Sequence, residues 1–144
     1  MIREPIYAAI LSQLEKISIP GLTLYCSRDF KLWDSVQTQP AILIQPETET
    51  AEFKRGLPLK WTLHVALWIY TRRQGDSLGV QQLNPIMDAI EAIFGQTGQP
   101  PNQAVNTLGG LVYSCWLNGP VMIDGGYLEE GQVIAKMGLE IIQA

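Results

Sequence analysis

Residues 57–73, LPLKWTLHVALWIYTRR, decide how the rest of this chain is read. Leu57, Leu59, Trp61, Leu63, Val65, Leu67 and Ile69 fall on one side of a two-residue period. Lys60, Thr62, His64, Ala66, Trp68 and Tyr70 fall on the other. Side chains alternate across a strand but recur every three to four residues along a helix. An alternation this long, rich in β-branched and aromatic residues, predicts one long strand. Its first face is wholly apolar and must be covered. Its second is mixed, and Trp68 and Tyr70 at one end suit partial cover by a neighbouring segment or by another subunit.

Upstream of that strand, residues 46–58, PETETAEFKRGLP, are polar. Glu47, Glu49 and Glu52 precede Lys54 and Arg55, and Gly56 and Pro58 break the run. The stretch reads either as a solvated loop or as the extended arm of a hairpin, since Glu47 and Glu49 alternate with Thr48 and Thr50. Before it, Pro40 leads into AILIQ at 41–45, a compact buried strand. Residues 22–27 are a further short strand, and 28–36 a connection anchored by Trp33. At the N-terminus Pro5 suits a first helical turn. Ile6, Ile10, Leu14 and Ile17 make an apolar stripe opposite Ser12, Gln13, Glu15 and Lys16, which predicts an amphipathic helix that Pro20-Gly21 ends.

Downstream, a polar turn at 71–77 gives way to Leu83, Met87, Ile90 and Phe94 at helical spacing, widened by Ile86 and Ile93. A second helix is predicted over 78–94, with Gly95 as its stop. Residues 95–110 are rich in Gly, Pro, Asn and Gln and read as a loop. Strands follow at 111–118, 121–124 and 132–142, separated by Gly119-Pro120 and Gly125-Gly126. The expected fold is therefore α+β: a two-layer, mostly antiparallel sheet with two helices packed on one face, in a single domain over 1–144.

The chain has 144 residues, 47% hydrophobic and 17% charged, with net charge -4 and a pI near 4.9. That is an ordered globular composition, large enough to bury a core. A charge fraction below the usual quarter fits surface that other subunits cover. The acidic balance lacks the footprint needed to grip nucleic-acid phosphates. No apolar run approaches the ~20 residues of a membrane span. The N-terminus has a helical pattern with an acidic residue at position 4, not a long apolar leader core. A soluble chain made in the cytoplasm is expected.

Nothing in the chain carries recognisable catalytic chemistry. His64 is the only histidine and lies mid-strand, a poor place for a nucleophile triad. Two distant cysteines, Cys26 and Cys115, and one histidine do not make a zinc site. Both cysteines lie in apolar runs and read as buried thiols, although an even number also permits a disulfide. Gly95-Gln-Thr-Gly98 and Gly109-Gly110 lack the lysine of a phosphate cradle. Glu129-Glu130 are adjacent in a polar turn and show no environment that would split their pKa values. No catalytic, cofactor or metal site is assigned. The candidate surface for subunit or partner contact is Glu47, Glu49, Glu52, Lys54, Arg55, Trp68, Tyr70, Arg72 and Arg73.

REPIYAAILSQL (3–14), FKLWDSV (30–36), QPAILIQ (39–45), RGLPLKWTLHVALWIYT (55–71), LNPIMDAIEAIF (83–94) and NTLGGLVYSCWLNGPVMIDGG (106–126) cover most of the chain. In overall pattern they resemble the tail terminator, or tail completion, proteins of long-tailed bacteriophages. The resemblance implies the same α+β fold. It also implies a homohexameric ring on the head-proximal end of the tail tube, assembled in the bacterial cytoplasm and carried in the virion. Such a ring stops tube polymerisation and offers the surface for head joining. Its partners would be other copies of itself, the tail tube protein and a head-completion or neck protein, with DNA only passing through the lumen. No functional residue is carried over. A neck connector or tube protein would share this architecture, and a small enzyme or ligand-binding domain is the alternative of another class.

Overall fold

The computed structural model describes residues 2–95, 105–125 and 131–143. Along the chain run α1 (Arg3–Glu15), β1 (Tyr25–Ser27), a 3-10 turn (Trp33–Ser35), β2 (Ala41–Glu52), β3 (Lys60–Arg72), α2 (Gly79–Phe94), β4 (Ser114–Leu117), β5 (Met122–Gly125) and β6 (Gln132–Gln143). The long alternating run forms a strand, and it is central. β3 pairs antiparallel with β2 over 41–52 and with β6 over 132–143, so both its edges are satisfied along nearly its whole length.

The sheet order is β1-β2-β3-β6-β4, with β5 also on β6. β4 and β5 share the outer edge of β6: β4 pairs with 139–142 and β5 with 133–136. Between them the chain passes close over Gly138, where an added Cβ would lie 2.7 Å from the Asn118 carbonyl oxygen. The Asn118 amide donates to the Gly138 carbonyl at 2.9 Å. Gly138 is thus a residue whose missing side chain lets one strand edge serve two partners.

On one face of the sheet, Leu63, Val65, Leu67 and Ile69 of β3 meet Ile42 and Ile44 of β2 and the odd-numbered residues of β6. Ile6, Ile10 and Leu14 of α1 and Leu83, Ile86, Ile90 and Phe94 of α2 complete this cluster. These follow the stripes that helical spacing predicted, except that Ile17 lies past the end of α1 and is only half-buried, and that Met87 and Ile93 of the second stripe are half-buried at its margin. Thr71 Oγ1 donates to the Gly79 carbonyl at 2.9 Å and Gln82 Nε2 to the Arg72 carbonyl at 2.8 Å, fixing the start of α2 to the end of β3.

The expected fold class needs correction. The sheet is mixed, because β1 runs parallel to β2, and it is curled rather than a flat layer under two helices. Its opposite face is covered as well. Trp33 and Val36 pack there on Ala41, Leu43 and Tyr70, with Phe30, Trp68 and Ile134 at the margin. The segment between β1 and β2 therefore adds cover on the far side of the sheet, and the arrangement is not two layers. A parallel neighbour needs a crossover, and the connection from β1 to β2 makes it across the sheet face. Alternation reveals that a segment is a strand; it does not reveal the direction of its partner.

The strand expected from residue 57 begins at Lys60, and three other boundaries shifted further. The strand expected over 22–27 shortens to Tyr25–Ser27, and the one over 111–118 to Ser114–Leu117, preceded by a turn in which Gly109 and Gly110 have φ of 72° and 91°. β2 runs on to Glu52, well past the expected end at residue 45. Most of the 95–110 loop, and Glu129-Glu130, lie outside the described residues.

Candidate functional site

The polar stretch at 46–58 is the arm of a hairpin. β2 and β3 stay paired as far as Glu52 opposite Lys60, and a turn closes the arm with the Leu57 amide donating to the Lys54 carbonyl at 3.0 Å. Every residue from 46 to 60 is exposed. At the tip Phe53 is 74% exposed, Leu57 59% and Leu59 41%. Apolar side chains of that size usually find cover, and three together at the end of a projection mark a contact surface.

A register shift between Pro46 and Thr48 makes the arm more than a continuation of the strand. Such a bulge puts two residues opposite one and reverses which side chains face which way beyond it. Glu47 and Glu49, on one side by simple alternation, go to opposite faces. Glu47 accepts from Lys136 Nζ at 3.0 Å on the face that carries Trp68. Glu49 meets Arg3 of α1 on the helix face, with both carboxylate oxygens 2.9 Å from Nε. The Arg3 guanidinium also lies 5.4 Å from the centre of the Trp61 ring. This hydrogen-bonded cation holds the Glu49 carboxyl below its ordinary value of 4.5. Arg28 does the same to Glu4 through two 2.9 Å bonds. The base of the arm is thereby tied to the first turn of α1.

The remaining predicted surface residues divide. Glu52 and Lys60 face each other across the arm at 3.7 Å. Lys54 and Arg55 project from the tip with no ion-pair partner among the described residues. Trp68 is half-buried: its Nε1 donates to Gln45 Oε1 at 2.8 Å, and Phe30 and Lys136 flank its ring at 5.7 and 5.4 Å. Tyr70 has no free surface to offer. It is 2% exposed, and its hydroxyl donates to the Lys31 carbonyl at 2.7 Å. The cover expected from a neighbour or another subunit comes, at Tyr70, from this chain's own 30–36 segment. Arg72 is half-buried, its guanidinium 4.9 Å from the centre of the Trp33 ring and donating to the Val36 carbonyl at 3.0 Å. Arg73 is exposed and its side chain donates to the Gly75 carbonyl at 3.3 Å. The nine residues do not form one patch.

Sequence reading missed a surface beside Trp68. Met122 and Ile123 of β5 are 62% and 56% exposed. With Trp68, Asp124, Ile134 and Lys136 they line a cleft of about 270 Å³. The available signal was Met122-Ile123: two apolar residues in succession on a short strand cannot both face a core.

The reactive groups are quiet. Cys26 and Cys115 are free thiols, and burial pushes them up to about 11 and about 12, so neither is a nucleophile at neutral pH. Among the described residues, no group of three or more His, Cys, Asp or Glu side chains could hold a metal ion. His64 sits in β3 between Thr48 and Glu140 of the flanking strands. No described helix is long and apolar enough to cross a membrane. No protein-family model matches the chain, and no curated protein matches it.

Proposed function

We propose that this chain is a structural virion protein, a bacteriophage tail terminator. It forms a ring on the head-proximal end of the tail tube, stops tube growth and provides the head-joining surface. It works with other copies of itself, the tube protein and a head-completion or neck protein, while DNA only passes through. The proposal takes nothing from the expected two-layer fold, which the mixed sheet corrects. The single observation that carries it is the arm. Residues 46–60 are all exposed, and past Trp61, the last β3 residue paired with β6, the hairpin runs on through Glu52 and Lys60 to a tip that carries Phe53, Leu57 and Leu59. A monomer that worked alone would gain nothing from keeping such a tip in water.

Physically, a tube grows because each ring offers a surface that matches the next, a heterologous contact that does not close along the axis. A terminator matches the tube on one side and fails to match a further tube ring on the other. That task asks for a rigid domain with projections rather than a reactive pocket. Here a central strand paired on both edges supplies the rigidity, and the arm supplies the projection.

Electron microscopy of the purified protein, alone and mixed with tail tubes that lack it, tests the proposal. Rings, or a cap on one tube end that fixes tube length, are expected. A protein that never binds tubes and forms no rings refutes it. Long tubes built from this chain alone would identify it as the tube protein.

A further inference from the structure

The arm tip and the β5 cleft are complementary halves that cannot meet within one molecule. On β3 the tip begins beyond Lys60, whereas the cleft lies at Trp68, eight residues on and on the sheet face. At the rise of a strand that is about 26 Å. The tip offers Phe53, Leu57 and Leu59 with two cations, Lys54 and Arg55. The cleft offers Trp68, Met122, Ile123 and Ile134 with one carboxylate, Asp124. Its lysine, Lys136, is already matched by Glu47 at 3.0 Å. Among the described residues, what remains unmatched is therefore positive at the tip and negative at the cleft.

Resting on the ring reading above, we propose that the arm tip of one copy seats in the β5 cleft of the next copy. Phe53 fills the space beside Trp68 and Met122, and Lys54 and Arg55 lie against Asp124. The obvious competing contact is edge-to-edge strand pairing through the free outer edge of β2. Pro46, which has no N–H to donate, interrupts that edge, and Glu47, Glu49 and Glu52 charge it. These are devices that prevent such pairing. Because tip and cleft are different patches, the contact is heterologous. It gives a ring if the rotation closes.

Two variants and their mixture test this by sedimentation velocity of the full chain. Phe53→Asp and Met122→Asp change residues that are 74% and 62% exposed, so both should keep the wild-type circular dichroism and melting midpoint. Wild type should form larger species as concentration rises, and each variant alone should stay monomeric. An equimolar mixture should stop at a one-to-one dimer, since only one intact tip and one intact cleft remain per pair. As a second measurement, carbodiimide coupling with tail tubes present should join Lys54 of one copy to Asp124 of another. Variants that assemble like wild type, or a mixture that stays monomeric, overturn the contact. So does a wild type that gives neither larger species nor the Lys54–Asp124 link with or without tubes. If the protein caps tubes in those cases, the terminator reading survives and only the contact is wrong.

Discussion

In the root of the β2–β3 hairpin, residues 41–44 and 65–67 are buried, with Ala41, Ile42, Val65, Ala66 and Leu67 all at 0% exposure. Past the bulge the same two strands stay paired antiparallel, but residues 46–60 are all exposed, even where Pro46 and Glu49 lie opposite the buried Val65 and Leu63 of β3. Backbone hydrogen bonds are common to both regions. What differs is what the side chains meet: the helix cluster and the Trp33 cluster at the root, water and a few ion pairs in the arm. Hydrogen bonds exchanged with water contribute little net stability, whereas apolar burial contributes about 25 cal/mol per Å². The root therefore carries the fold. The arm is free to be selected for what it touches.

Leu67→Ala strikes the root hardest. Removing a fully buried side chain from between the two strands and the helix cluster should lower stability by about 2–5 kcal/mol. The melting midpoint should then fall by roughly 2–4 °C for each of those kcal/mol. A fall no larger than that of an arm variant would break the distinction between root and arm. Gly138→Ala should come next. Its Cβ would press on the Asn118 carbonyl at 2.7 Å, an overpacking of about 1–3 kcal/mol felt where β4 hands the edge of β6 to β5. Faster amide exchange confined to β4 and β5 would locate the damage.

Phe53→Asp should be nearly silent in the monomer, within about 0.5 kcal/mol in urea or thermal unfolding, while abolishing self-association. Destabilisation comparable to Leu67→Ala would mean that the tip packs on its own domain. Smallest of all is Glu49→Gln, which weakens the tie between arm and α1. The folded-state carboxyl lies below its ordinary 4.5, so the ion pair's stabilisation is fully present above about pH 4.5 and lost as pH falls through the depressed folded value. Wild type and variant should differ slightly at neutral pH and converge in acid. A gap that widened on acidification would contradict the Arg3–Glu49 pairing. Both side chains reach solvent, Arg3 at 48% and Glu49 at 28% exposure, so salt should also narrow the difference.

Much of the root was legible in the sequence, and much of the arm was not. Seven apolar residues at strict period two between Leu57 and Ile69 leave no alternative to a strand with one buried face, although its first residues belong to the arm. Ile6, Ile10 and Leu14, and Leu83, Ile86, Ile90 and Phe94, leave none to two helices with one apolar stripe each. Trp68 and Tyr70 were read as a single outward pair. The 30–36 segment folds back to bury Tyr70 while leaving Trp68 at the margin of a cleft. The cleft itself joins β3, β5 and β6, brought together only by pairing, so no local stretch could announce it.

By itself, then, the sequence determined the two helices, the long strand and its dry face from Leu63 to Ile69, because periodicity is a local property of side-chain direction; it did not show that Leu57 and Leu59, of the same period, stay in water. Only the tertiary structure decided that β1 runs parallel to β2, that β4 and β5 share one edge of β6, and that Glu47 and Glu49 face opposite ways. Each of these depends on which strand edge is free when distant segments meet. The bulge at Pro46/Thr48 then inverts every alternation downstream of it.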